Sequence, residues 1–137
     1  MSKTLNILLV DDDIVDIMNM KRAFAKKGFQ HPLYIAHNGD EAMQMLEQQL
    51  IPVPHVILLD LNMPKMGGVE FLEIIRKHPA YKHIHVVVLT TSDEDADKFK
   101  AHRHNISSYL IKPLSGTEFS EQVDTLNNSW EIVSFPD

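Results

Sequence analysis

Four apolar runs in this 137-residue chain end on side chains that can do chemistry. The run "LNILLV" (5–10) is followed by Asp11, Asp12 and Asp13, and "HVILL" (55–59) by Asp60, with Asn62 two residues on. "HVVVL" (85–89) is followed by Thr90, Thr91 and Ser92, and "SYLI" (108–111) by Lys112 and Pro113. Carboxylates brought together repel, by about 4 kcal/mol per pair at roughly 4 Å and an effective dielectric constant of about 20. A positive partner is therefore required, or the charges must splay into water. Oxygen ligands of this kind suit a hard dication, and magnesium binds through a few carboxylates while keeping several waters. A lysine at the same place neutralises a negative group beside the metal.

These groups meet only if the runs are strands of one sheet. The segments 5–10, 33–37, 55–61, 85–90 and 108–112 read as strands. The first, third and fourth are nearly unbroken runs of Val, Ile and Leu, the pattern of strands covered on both faces. Helical spacing lies between them. Ile17, Met20 and Phe24 form one stripe, Ala42, Met45 and Gln49 with Leu46 a second, and Gly68, Phe71, Leu72 and Ile75 a third. Ser92–Asp95 offers a helix start, and "SGTE" (115–118) is a capping box ahead of Phe119, Val123 and Leu126. The segment 93–104 is the least apolar of the five and is expected to be the most exposed and most easily shifted. Strict alternation with right-handed crossovers gives a doubly wound α/β sandwich on a five-stranded parallel sheet. In such sheets ligands gather beyond the carboxyl ends of the strands, which is where the acids, the threonines and the lysine stand.

Composition narrows the function classes. Hydrophobic residues make up 44% and charged residues 23%, the balance of a soluble globular domain. The net charge of −6 argues against nonspecific nucleic-acid binding. No cysteine is present, which excludes disulfides, thiolate zinc sites and cysteine nucleophiles and suits the cytoplasm. No signal peptide and no run of transmembrane length are found, so a cytoplasmic chain without membrane contact is expected. Residues 1–137 read as one domain with a core over about 4–128 and a tail at 129–137. Only 24 residues follow Pro113, so no output domain is expected. The pairs His83-x-His85 and His102-x-His104 lack the company of a metal site and read as solvated surface.

The blocks "LLVDDD", "LLDLNMP", "VVVLTTS" and "SYLIKP", in this order and at the ends of successive strands, resemble the signature of the response-regulator receiver domain of two-component signalling. The resemblance spans essentially the whole chain. It implies a flavodoxin-like, three-layer fold with strand order 2-1-3-4-5. It also implies that Asp60 is the phosphoacceptor, taking a phosphoryl group from phosphohistidine in a magnesium- or manganese-dependent reaction. Asp11, Asp12, Asp60 and the backbone carbonyl of Asn62 would hold the metal. Thr90 and Lys112 would bind the phosphoryl group, and Tyr109 would be the switch aromatic. Thr91 competes with Thr90 for its role, and Thr91 and Ser92 stand where phosphate lifetime is tuned. The Lys112–Pro113 bond would be cis. Such a protein is a switch that catalyses only its own phosphorylation and dephosphorylation.

Simpler readings stand beside these. Asp13, and the acid run as a whole, fits the N-terminus of a helix, where carboxylates are favoured. Thr90 suits a strand on propensity alone, and Tyr109 is a half-buried strand residue. Gly67–Gly68 replaces the Asp-Gly common in receivers, and Gly68 still permits close packing at a helix start. A magnesium phosphatase of the haloacid-dehalogenase type would need Asp-x-Asp after the first strand, which Asp11 and Asp13 supply by accident of the run. A receiver that signals without phosphate is a third reading. The implied partner is a sensor histidine kinase or a histidine phosphotransfer protein. The tail "WEIVSFPD" (130–137) either folds back on its own domain or builds an interface. With the lengthened "QQLIPVPH" it resembles single-domain regulators paired with phytochrome-type or other histidine kinases, which would allow a homodimer through 92–112 and the tail.

Overall fold

The apolar runs do become strands. The computed structural model describes residues 4–61, 63, 66–91, 105–112, 114, 116–132 and 135. Among them β1 (Ile7–Val10), β2 (Leu33–Ala36), β3 (Val56–Asp60), β4 (His85–Thr90) and β5 (Ser108–Ile111) form one parallel sheet in the order β2-β1-β3-β4-β5. Among the described residues four helices flank it: α1 (Ile14–Lys26), α2 (Gly39–Glu47), α3 (Gly68–Lys77) and α4 (Gly116–Ile132). The helix expected within 93–104, its start at Ser92–Asp95, the cap residue Ser115, Pro113 and the pair His102-x-His104 lie outside the described residues.

Strand parity assigns the two layers, because successive side chains point to opposite faces. Ile7 and Leu9, Val56 and Leu58, Val87 and Leu89, and Leu110 pack with Ile17, Met20 and Phe24 of α1 and with Phe119, Val123, Leu126 and Trp130 of α4. Leu8 and Val10, Ile57 and Leu59, and Val86 and Val88 pack with Ala42, Met43 and Leu46 of α2 and with Phe71, Leu72 and Ile75 of α3. Each fully buried side chain of this size contributes about 1.5–3 kcal/mol. The unbroken apolar runs are thus explained by cover on both faces.

The stripe expected on the second helix is corrected. Gly39, Ala42, Met43 and Leu46 are buried, Met45 is half-buried, and Gln49 is exposed beyond the helix end with φ 54°. Ala42, Met43 and Leu46 pack in the core, and a Cβ on Gly39 would stand 2.8 Å from Met66, so this side of α2 lies close against its neighbours.

At the opposite end of the sheet the chain closes on itself. Lys27 Nζ meets Asp124 Oδ2 at 2.6 Å, joining α1 to α4. His31 Nδ1 accepts the Leu5 N–H at 3.0 Å, which leaves Nε2 to donate to Asn127 Oδ1 at 2.9 Å. The helix α4 continues to Ile132, Trp130 is buried, and the Trp130 ring lies edge-on to His31 with centroids 5.7 Å apart. Phe135 packs on His55 and His85, at 5.9 and 4.6 Å between centroids. His85 is therefore not solvated surface. It is half-buried, with Nδ1 3.0 Å from Ser107 Oγ, and burial followed by the nearby Arg76 charge lowers its pKa. No helix among the described residues is long and apolar enough to cross a membrane.

Candidate functional site

The same parity that builds the core builds the site. Val10 pairs with Leu59 across β1 and β3, so the next residues on each strand, Asp11 and Asp60, come side by side at the sheet's carboxyl edge. Asp11 continues the Ile7–Leu9 set, Asp60 the Val56–Leu58 set and Lys112 the Leu110 position. All three therefore turn to the α1 side. Strand order reverses between β1 and β3, the switch point at which open α/β sheets bind ligands.

Asp11 and Asp60 are buried and Asp12 is exposed. One carboxylate oxygen from each of the three lies within 4.8 Å of the others. Opposite ligands of a magnesium ion stand about 4 Å apart, since each bond is about 2.0–2.1 Å. Small side-chain rotations close that difference, so the cluster is able to coordinate a divalent metal. Asp11 Oδ2 adds a second sign. It is buried without an aligned hydrogen bond, and its 3.2 Å approach to Lys112 Nζ is a charge contact. Its partner oxygen, Oδ1, accepts the Asp13 N–H at 2.9 Å. Burial first, then the Asp60 charge, push the Asp11 carboxyl up to about 7, against the Asp13 N–H and Lys112. A bound dication would take the place of that proton.

Lys112 Nζ sits among three carboxylates: Asp16 Oδ2 at 2.6 Å, Asp11 Oδ2 at 3.2 Å and Asp60 Oδ2 at 3.4 Å. Burial acts to lower its pKa, and the Asp16 hydrogen bond with the Asp11 and Asp60 charges outweighs it, so the ammonium is held charged. Its own N–H donates to the Thr90 carbonyl at 2.7 Å, which ties the ends of β4 and β5 together. Thr90 is fully buried and Thr91 is exposed. Thr90 shares the Val86–Val88 parity, on the face where half-buried Tyr109, opposite Val88, packs. Asn62 and Ser92 lie outside the described residues.

Asp13 is the helix cap. Its Oδ1 accepts the N–H groups of Val15 at 2.8 Å and Asp16 at 3.4 Å. Asp11 and Asp13 thus do different work, which removes the Asp-x-Asp pair that the phosphatase alternative needs. Gly68, at the start of α3, runs so close beneath Asp60 that a Cβ there would lie 2.5 Å from the Asp60 carbonyl oxygen. The sequence reading passed over one residue of the site, Asp16. Its signal was the four-residue step to Met20 and Phe24, which places it on the buried stripe of α1.

Comparison with known proteins agrees with this geometry. The family model described as the response regulator receiver domain matches residues 7–124. The probable methanogenesis regulatory protein FilR2 of Methanothrix harundinacea is 37% identical over 127 residues, 90% of this chain and 82% of that protein. Response regulator Rcp1 of Synechocystis is 36% identical over 135 residues, 95% of this chain and 92% of that protein. Its Mn2+-bound crystal structure superimposes with a TM-score of 0.83 at 33% identity, over 97% of this chain and 99% of that one. The phosphorylated cyanobacterial phytochrome response regulator RcpA superimposes with a TM-score of 0.85 at 31% identity, over 98% of this chain and 100% of that one.

Proposed function

The chain belongs to the response regulator receiver domain family, and from that premise we propose that Asp60 accepts a phosphoryl group from a phosphohistidine on a partner kinase or phosphotransfer protein. A receiver domain is a switch that is phosphorylated and dephosphorylated on itself, and not an enzyme acting on external substrates. The observation that carries the proposal is the convergence of Asp11, Asp12 and Asp60 with Lys112 at the switch point.

In the proposed step an Asp60 carboxylate oxygen attacks phosphorus and the P–N bond to the imidazole breaks. The leaving nitrogen keeps the electron pair, and Asp60 becomes an acyl phosphate. Lys112, charged and 3.4 Å from Asp60 Oδ2, is placed to pair with the phosphoryl oxygens. Thr90 would donate its hydroxyl to the same group, and Tyr109, on the same side of the sheet, would follow Thr90 as it moves. Asp11, Asp12 and Asp60, with the Asn62 carbonyl, would hold Mg2+ or Mn2+. When bound, such an ion would supply charge neutralisation for the transferring group, which is most of what phosphoryl transfer asks of a catalyst. The Mn2+-bound form of Rcp1 and the phosphorylated form of RcpA support both parts of this reading.

At the start of α1, beside the acids, Ile14, Val15 and Met18 are exposed, with relative exposures of 66, 63 and 45%. An apolar patch beside the acids favours a protein donor that docks before transfer. Trp130 and Phe135 are engaged within their own domain, so a homodimer through 92–112 and the tail would have to draw on other side chains.

Incubation with Mg2+ and acetyl phosphate, followed by intact mass, tests the proposal. One added phosphoryl group is expected on the native chain and none on Asp60→Asn. Equal labelling of that variant would overturn the assignment.

A further inference from the structure

Asp16 is an acid on an apolar stripe. It precedes Met20 by four residues and Phe24 by eight, and all three are buried on α1. A carboxylate in that position is costly unless it is paired. Its pair is Lys112, at 2.6 Å, and this is the shortest of the lysine's three carboxylate contacts. The other two acids come from the sheet edge and form part of the metal-capable cluster, whereas Asp16 comes from the helix layer above them. Lys112 and a dication therefore compete for the Asp11 and Asp60 carboxylates. Asp16 draws the lysine toward α1 and eases that competition.

We infer that Asp16 is a positioning residue that acts through Lys112: it holds the ammonium back from Asp11 and Asp60, so that both stay open to a dication, yet close enough to meet a phosphoryl group. The inference rests on the phosphoacceptor reading of this site. Asp16→Asn keeps the shape of the side chain and removes its charge. Lys112 then leans on Asp11 and Asp60 and competes with the metal. In the Lys112→Met background there is no lysine to redirect, and the same change loses most of its effect.

The test is Mg2+ affinity by calorimetry on the native chain, Asp16→Asn, Lys112→Met and the double variant, with thermal midpoints measured alongside. Asp16→Asn is expected to weaken binding about tenfold, within the range of couplings between residues that share one charge network. Beside Lys112→Met the same substitution is expected to cost roughly twofold or less. Asp16→Ser serves the same cycle should the amide impair folding. Unchanged affinity in Asp16→Asn, or an equal loss with and without Lys112, would overturn the inference. Phosphoryl uptake from acetyl phosphate separates the two levels. A native chain that neither binds Mg2+ nor takes up phosphate refutes the phosphoacceptor reading itself. A native chain that does both, while Asp16→Asn matches it in affinity, refutes only the role of Asp16.

Discussion

Replacing Gly68 by alanine pushes a methyl group into the backbone that carries the phosphoacceptor. The new Cβ would lie 2.5 Å from the Asp60 carbonyl oxygen and 2.8 Å from the Leu61 Cα, where ordinary contact begins at 3.4 Å. Both obstacles are main chain, so no side chain can swing aside. Strand β3 and the start of α3 must separate by most of an ångström. Overpacking of this kind costs about 1–3 kcal/mol. The displacement falls on the residue that must meet phosphorus in line, and a misplacement of about 1 Å can cost about a hundredfold in rate. Gly67 is the internal control, because a Cβ there meets nothing within 4 Å and its φ of −57° suits any residue. Gly67→Ala is expected to stay within about 1 kcal/mol of native, the cost of a lost cap preference. Urea denaturation and the rate of phosphoryl uptake from acetyl phosphate read both effects. A Gly68→Ala variant with native stability and native uptake would refute the claim that this close approach sets Asp60 in place.

Three further outcomes are expected. Asp13→Ala removes the cap of α1 and costs about 1 kcal/mol in urea denaturation; phosphoryl uptake should hold within about twofold, because the contact to Asp11 comes from the Asp13 main chain. Lys27→Met breaks a partly exposed ion pair between α1 and α4 and costs about 1 kcal/mol or less, with the loss shrinking at high salt in paired melts. His85 is depressed by burial and by Arg76, so the unfolded chain binds its proton more readily and stability falls as pH drops through the ordinary histidine range. His85→Phe is expected to flatten that dependence in denaturation curves taken between about pH 7.5 and 5.5.

Much of this was legible because parity and burial act on local sequence. Unbroken runs such as "VVVLT" announce strands covered on both sides, and the side chain following each run must emerge at the sheet edge. That logic put Asp11, Asp60, Thr90 and Lys112 at the carboxyl edge of the sheet without coordinates. It failed where the deciding contact lay between distant segments. Met45 and Gln49 look as helical as Met43, and it is packing against the sheet and α3, with the close approach of Met66 to Gly39, that shows which side of α2 turns inward. His85 looked solvent-facing because the sequence does not say where Phe135 goes. Asp16 was hidden for a related reason. Within "DDDIVD" it reads as one more surface acid, and its role appears only once α1 is laid over the strand face to which Lys112 also turns.

The charge imbalance of the site carries one more consequence. Asp11, Asp16 and Asp60 surround the Lys112 ammonium, with the Asp12 carboxylate beside Asp11 and Asp60, and burial with Asp60 pushes Asp11 up to about 7. A carboxyl raised above its ordinary value holds its proton in the folded state over the window from about 4 to 7. Its contribution to stability is fullest below about pH 4 and is lost as pH rises through about 7, because the unfolded chain gives up the proton first. A dication competes with that proton, so metal and acid are alternatives at the same oxygens. Magnesium at about a hundred times its dissociation constant stabilises by about 2.7 kcal/mol. At a fixed magnesium concentration, the rise in thermal midpoint is therefore expected to be larger near pH 8 than near pH 6. Asp11→Asn should abolish most of the rise and all of its pH dependence. Melts of the native chain and this variant, with and without magnesium at the two pH values, decide it. A magnesium shift that is equal at both, or that survives in Asp11→Asn, would mean that the buried acid beside Asp60 is not where the ion and the proton compete.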